Sequence, residues 1–167
     1  MGNKLLIAVI VLLVVLVGVL AYINRPDVEG YEDANFTVTY GDETTTLDLA
    51  ALQQLNQSQF TKTLRSSGKE PVDNTYTGVP LSTVLQATDA DILQGVEVVT
   101  VKAIDGYTVA FPVEEVLREE HLYLVWERDG EPLGTKDSGG SGPLLVIPRQ
   151  DEFGQRWCKF AVEAEVR

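Results

Sequence analysis

Residues 96–111 read VEVVTVKAIDGYTVAF, and this stretch decides the fold class. β-branched residues are so frequent in Val96–Ile104 that we predict a strand covered on both faces. Asp105-Gly106 is typical of a tight hairpin turn, and Tyr107–Phe111 supplies the second strand. The stretch therefore predicts a β-hairpin that belongs to the core.

Short helices and further strands are predicted on both sides of this hairpin. Before it we predict strands at Phe36–Tyr40, Thr44–Leu47 and Phe60–Leu64, helices after Asp48 and Pro80, and a polar loop at Arg65–Thr75. After it we predict a helix at Val113–Glu120, strands at Leu122–Arg128, Leu144–Ile147 and Trp157–Val166, and a loop at Gly134–Gly142. The pattern predicts an α+β domain at residues 36–167, with a mixed β-sheet core and short helices.

An apolar segment near the N terminus predicts a transmembrane helix. Between Leu5 and Ile23 only Gly18 is not apolar, and such a helix is about 28 Å long, close to one hydrocarbon core. We predict an anchor at residues 1–23 with a cytoplasmic N terminus and the domain on the periplasmic or extracellular side. A signal peptide cut after Ala21 is the alternative. Residues 24–35 are polar and predict a linker.

Charge limits the partners of the domain. The chain has 13 Lys and Arg against 25 Asp and Glu, and Lys4 is the only charged residue before residue 24. The domain is therefore strongly acidic, which disfavours nucleic acid because that binding depends on cations that neutralise phosphates. Cys158 is the single cysteine, so an internal disulfide and a cysteine-rich metal site are excluded.

Five phrases of the sequence occur in a characteristic order and spacing. They are Tyr76-Thr-Gly-Val-Pro-Leu81 with Val84-Leu85, Asp105-Gly106-Tyr107 with Phe111-Pro112, Asp129-Gly-Glu-Pro-Leu133, Gly142-Pro143 running to Pro148, and Lys159. Together they resemble the molybdopterin-binding oxidoreductase domain, the catalytic fold of sulfite oxidases and plant nitrate reductases. The resemblance extends from Phe36 to the end of the chain and implies a sulfite-oxidase-like fold.

The sequence departs from this family where the cofactor would be held. The family binds molybdenum through a cysteine in the loop that here reads Thr63-Leu-Arg-Ser-Ser-Gly68, and neither serine nor arginine replaces a soft thiolate. The family also has a histidine and an arginine near the pterin phosphate, where this chain has Gly140 or Ser141 and Leu145. We therefore expect a reduced form of the fold without a cofactor, and molybdopterin binding is disfavoured.

Few side chains are candidates for a site. Tyr76 and Tyr107 stand within the family phrases and, with Lys159, are the candidates for lining a remnant of the cofactor pocket. Cys158 is predicted to pack in the core on the inner face of an alternating strand, and His121 to be a surface or capping residue. We predict no catalytic residue and no metal ligand.

These observations favour a membrane-anchored, non-catalytic module. We expect an accessory or assembly subunit of a membrane electron-transfer complex, which contacts the membrane through Leu5–Ile23. Its acidic surface suits a basic partner, such as a soluble electron carrier. Two alternatives stay open: a molybdopterin-dependent oxidoreductase, and an extracellular small-ligand-binding domain that uses the vacated pocket.

Overall fold

A computed structural model describes residues 2–23, 34–65 and 70–167, and these contain four α-helices and eleven strands. The helices are α1 (Gly2–Ile23), α2 (Leu49–Gln54), α3 (Leu81–Thr88) and α4 (Val113–Val116), with a 3₁₀ helix at Gly154–Arg156. The strands are β1 (Asn35–Tyr40), β2 (Glu43–Asp48), β3 (Ser58–Leu64), β4 (Val72–Pro80), β5 (Val98–Ala103), β6 (Thr108–Pro112), β7 (Leu122–Arg128), β8 (Glu131–Pro132), β9 (Leu145–Pro148), β10 (Cys158–Lys159) and β11 (Ala161–Val166).

The strands form two sheets. The first has the order β2-β1-β11-β5-β6 and is mixed, because β1 runs parallel to β11 while the other pairs are antiparallel. The second has the order β10-β9-β7-β4-β3, with β8 paired to β7, and is antiparallel throughout. The predicted α+β class with short helices is confirmed, with two sheets in place of one mixed sheet.

The predicted hairpin is formed by β5 and β6. The amide of Ala103 donates to the carbonyl of Tyr107 at 2.8 Å, and Gly106 in the turn has a φ of 86°, which favours glycine. The prediction that the first of these strands is covered on both faces was wrong, since Val99 and Val101 are buried whereas Val98 and Thr100 are only half-buried. The outer face instead carries Lys102, which pairs with two carboxylates of β11 because its charge must stay solvated or paired.

The second sheet is the one covered on both faces, and β7 lies at its centre. Leu122, Leu124 and Trp126 belong to a hydrophobic cluster that also includes buried residues of the first sheet and of α3. The alternate residues Tyr123 and Val125 belong to a second cluster on the opposite face. Since successive side chains of a strand point to opposite faces, β7 joins both clusters through its own alternation, and its neighbour β9 does the same.

Two predicted helix starts are confirmed. Asp48 caps α2, accepting a hydrogen bond from the Ala51 amide at 2.7 Å. Leu81, Val84 and Leu85 form the buried face of α3. The helix predicted at Val113–Glu120 was too long and ends at Val116. Only Val116 is buried in it and Leu117 is exposed, so no apolar face extends the helix further.

The last predicted strand, Trp157–Val166, is two strands in different sheets. Phe160 has a φ of 57°, which interrupts the extended backbone and leads the chain from β10 in the second sheet to β11 in the first. A register shift between Ala161 and Glu163 then breaks the predicted strict alternation. The predicted loop at Arg65–Thr75 was also partly wrong, because Val72–Thr75 belongs to β4 and pairs with β3.

Helix α1 covers the segment predicted to be an anchor. The exposure of this helix is described for residues 10–20, and all of them are exposed. Within the described part of the chain, no helix is long and apolar enough to cross a membrane. The anchor stays a prediction. Residues 24–33 of the predicted linker and residues 66–69 of the predicted loop lie outside the described residues.

Candidate functional site

A cavity of about 490 Å³ lies between the end of β3 and the segment that joins β9 to β10. It is lined by Leu64, Arg65, Phe153, Gly154, Gln155, Trp157 and Lys159. Its volume is in the range typical of small-molecule sites. Leu64 and Arg65 also belong to the segment Thr63–Gly68, in which the resembled family places its metal-binding cysteine, so the described part of that segment borders the cavity.

Aromatic packing holds one wall of this cavity in place. Trp157 is 6% exposed, and its ring meets the edge of Tyr76 with centroids 5.7 Å apart at 87°. Phe60 packs against both Tyr76 and Tyr123 at 5.9 and 4.6 Å. Each such aromatic pair contributes about 0.5–1.5 kcal/mol beyond the area that it buries. The Trp157 indole is therefore supported from behind by side chains of β3, β4 and β7.

The Trp157 indole also has an unused hydrogen-bond donor. Its Nε1 is buried, and nothing in the described residues accepts a hydrogen bond from it. A buried donor without an acceptor costs about 1–3 kcal/mol. Because Nε1 is closed to solvent, Trp157 contributes its ring surface, not this donor, to the cavity.

Two cations line the cavity. Arg65 is 3.9 Å from Glu152, but both side chains are half-exposed or more, and such a surface pair contributes about 0–1 kcal/mol. Lys159 is exposed, and among the residues that the structure describes no carboxylate lies within ion-pair distance of it. Neither cation is therefore held in a strong ion pair.

The segment that forms the far wall is held by Arg156. Its Nε and Nη2 donate to the two carboxylate oxygens of Asp151, each at 2.7 Å, and its Nη1 donates to Glu115 at 2.8 Å. Burial raises the pKa of Glu115, but hydrogen bonds from Arg156 and His121 outweigh it, so the pKa lies below its ordinary value. Lys62 donates to the carbonyl of Asp151. These contacts position the backbone of Phe153–Trp157.

The three residues predicted to line a remnant pocket lie around this cavity in different ways. Lys159 lines it directly. Tyr107 reaches the wall from the turn of the β5–β6 hairpin, where its hydroxyl donates to the Gln155 carbonyl at 2.7 Å. Tyr76 is buried behind Trp157, and burial raises the pKa of its hydroxyl, with Arg128 and Asp129 in opposing smaller roles. The structure therefore brings all three to one region, with only Lys159 on the surface of the cavity.

Cys158 lies in the core, as predicted, although its strand is shorter than expected. It is fully buried in the cluster that joins the sheets, and burial, with a smaller effect of Asp105, raises the pKa of its thiol to about 12. Cys158 therefore stays protonated near neutral pH.

The prediction for His121 was wrong, since it is 2% exposed, with Nε2 3.3 Å from Glu115. The backbone carbonyl of His121 accepts a hydrogen bond from the backbone amide of Arg149, and this bond connects the turn before β7 to the end of β9.

The residues present do not fit a molybdenum cofactor. Gly140 is one of the two positions that could correspond to the family's histidine. A side chain at Gly140 would collide with backbone atoms of Leu133 and Gly134. Leu145, at the position of the family's arginine, is buried in the second hydrophobic cluster. Cys158 does not line the cavity, although its neighbours Trp157 and Lys159 do, because its side chain is buried in the cluster that joins the sheets, where its thiol stays protonated. Among the described residues, no three His, Cys, Asp or Glu side chains are grouped to hold a metal ion.

The glycine-rich end of the loop at Gly134–Gly142 offers no free backbone amides for an anion. The amides of Gly139, Gly140 and Gly142 donate to carbonyls of the same loop, and that of Ser141 donates to Leu133. The predicted loop is confirmed, and its glycine-rich sequence serves its own hydrogen bonds.

Fold and cavity together define a sulfite-oxidase-like α+β domain with a small-molecule cavity and no thiolate beside it. The chain belongs to the family described as "Oxidoreductase molybdopterin binding domain", whose model matches residues 25–167. It is similar in fold to the sulfane dehydrogenase SoxCD from Paracoccus pantotrophus, with a TM-score of 0.65 and 16% sequence identity. That similarity covers 81% of this chain and 38% of the dehydrogenase chain, so this protein corresponds to less than half of it. No curated protein matches the chain.

Sequence reasoning missed most of the cavity wall. Phe153 and Gln155 lie in a segment with no recognisable motif, and Trp157 was interpreted only as a core or rim aromatic residue. A single signal was present, since Asp151-Glu152 and Arg156 place opposite charges close together in a loop. Such a pattern predicts an ion pair but not the cavity beside it.

Proposed function

We propose that this protein is a membrane-anchored, non-catalytic member of the molybdopterin-binding oxidoreductase family. The position of the only thiol carries the proposal. Cys158 is buried between the sheets with a pKa raised to about 12, whereas a metal ligand must be a thiolate at the cavity. Family membership by itself favours the alternative, a molybdopterin-dependent oxidoreductase. The buried thiol, the apolar Leu145 and the obstructed Gly140 argue against that alternative.

The anchor and the partner belong to the same proposal. The apolar sequence of α1 supports a tether, with the acidic domain on the periplasmic or extracellular side. In that position the domain serves as an accessory or assembly subunit of a membrane electron-transfer complex. Its excess of carboxylates supports association with a basic protein, such as a soluble electron carrier.

Expression in a host that makes the pterin cofactor is expected to yield folded protein with negligible molybdenum. The reason is the lack of both the metal–sulfur bond and the arginine that would pair with the pterin phosphate. Elemental analysis of the purified full chain, with circular dichroism to confirm folding, measures this. Near-stoichiometric molybdenum would reject the proposal and favour the oxidoreductase.

Protease added to intact spheroplasts is expected to remove the domain while leaving cytoplasmic markers intact. The expectation follows from the proposed tether at α1, with the domain on the periplasmic or extracellular side. Immunoblotting with an antibody against the domain provides the measurement. Complete protection of the chain would contradict the topology, and a mature protein that starts at Tyr22 would show a cleaved signal peptide instead.

A further inference from the structure

We propose that the cavity beside Trp157 binds a small organic anion with an apolar ring system and one carboxylate or phosphate group. This deepens the proposed function, because it rests on the cavity being free of the metal cofactor and names what occupies it. Two independent features of the cavity support it: its apolar walls and its sign of charge.

The walls suit a flat apolar body. Leu64, Phe153 and Trp157 contribute apolar surface to a space of about 490 Å³, which accommodates one or two fused rings. Phe153 is half-exposed although it is a large aromatic residue. A ring placed between these side chains would remove their apolar surface from water, which is favourable in proportion to the area buried.

The charge of the cavity is opposite to that of the protein. Acidic residues outnumber basic residues by nearly two to one in the chain, yet none of the described residues that line the cavity is acidic. Arg65 and Lys159 line it, and Glu152 is the nearest carboxylate to Arg65 at 3.9 Å. A cationic cavity on an anionic domain selects small anions, because the surrounding field repels large acidic surfaces while the local cations attract a single charged group.

The Trp157 indole gives the site a rigid wall. Its ring is fixed by edge-on packing against Tyr76, so little side-chain freedom is lost when a ligand binds against it. The two cations, Arg65 and Lys159, favour an acidic group on the ligand over a neutral one.

The experiment uses the full chain, labelled with ¹⁵N, in mild detergent. The protein has two tryptophans, so two indole N–H resonances are expected, and Trp157→Phe assigns them. The probes are 2-naphthoate and 2-naphthyl phosphate, with neutral 2-naphthamide as the control of the same shape. We expect one or both anions to shift the Trp157 resonance saturably while that of Trp126 stays in place, and the stronger anion identifies the preferred acidic group. The amide should bind at least about tenfold more weakly.

Charge variants test which side chains hold the anion. Arg65→Gln and Lys159→Gln should each weaken binding by about tenfold, whereas Lys136→Gln, which removes the same charge away from this cavity, should change the Kd less than twofold. Equal binding of the amide, unchanged Kd in both cavity variants, or no shift with either anion would overturn the proposal. Metal analysis of the same sample is separate, so failure of anion binding and failure of the proposed loss of molybdenum are distinguished.

Discussion

Gly78→Ala is expected to lower the free energy of unfolding by about 3 kcal/mol or more, the largest effect that we predict for a single substitution. Gly78 lies in β4, where the pairing with β7 shifts register, and the two backbones approach closely. A Cβ at this position would stand 2.7 Å from Val125 Cα and nearer still to the Leu124 carbonyl oxygen. Backbone atoms cannot move aside as a flexible side chain can, so the central strands would have to separate.

Urea denaturation of the purified protein measures this effect, and Gly154→Ala is the matched control. A Cβ at Gly154 would meet only side-chain atoms of Leu64 and Trp157, at ordinary contact distances of 3.4 Å and more. That variant should lose less than about 1 kcal/mol. If Gly78→Ala were as stable as Gly154→Ala, the close approach of β4 and β7 would be contradicted.

Arg156→Met is expected to lower the free energy of unfolding by about 3 kcal/mol. The substitution keeps the aliphatic stem but removes three hydrogen bonds to the carboxylates of Asp151 and Glu115. Hydrogen bonds to charged groups contribute about 1.5–3 kcal/mol each, and we discount their sum because Arg156 is 37% exposed. The cavity wall at Phe153–Trp157 should also loosen, since this arginine links it to α4.

Arg149→Met is a suitable control for that variant. Arg149 and Arg156 each lie over a phenylalanine ring, at 5.3 and 5.4 Å, so both substitutions remove a similar cation–π contact. Arg149, however, makes only one carboxylate bond, to the exposed Glu120, and this should contribute less than about 1 kcal/mol. Equal stability of the two variants in thermal and urea unfolding would contradict the role of the Arg156 network.

The Arg156 network also predicts a dependence of stability on pH. The pKa of Glu115 in the folded protein lies below its ordinary value of 4.5, so its ionised form stabilises the fold at higher pH. That stabilisation is lost as the pH falls below about 4.5 and through the lowered pKa of the folded state. The native protein should therefore lose stability more steeply with acid than Arg156→Met does. Parallel acid profiles of the two proteins would contradict this.

Most elements with a clear periodicity were predictable from sequence. The alternation of Phe36–Tyr40 and the apolar run of Leu122–Arg128 both correspond to strands, because burial of one or both faces requires those patterns. The helix after Pro80 was predictable since proline begins it and three apolar residues share its face. The family was likewise recognisable, because turn residues such as Asp129-Gly130 keep their order and spacing.

Elements that depend on distant partners were not predictable. β4 starts at Val72 because it pairs with β3, although residues 72–75 are polar enough to resemble a loop. The break at Phe160 depends on the two sheets requiring the chain on different sides, and a positive φ at phenylalanine has no local signal. His121 is buried in a turn whose backbone is hydrogen-bonded to the amide of Arg149, 28 positions further along the chain.

The sequence by itself determined the family, the α+β class, the acidic charge and the lack of a cysteine at the family's ligand position. These properties depend on composition, order and local periodicity, which a linear chain carries directly. Only the tertiary structure decided that Lys159, Arg65 and Trp157 meet around one cavity. It also decided which elements enclose Cys158, whose burial in the core was predicted from the sequence. The physical reason is that strand pairing brings together side chains that are far apart in the sequence. The lining of a cavity and the shift of a pKa depend on that proximity, which sequence spacing does not reveal.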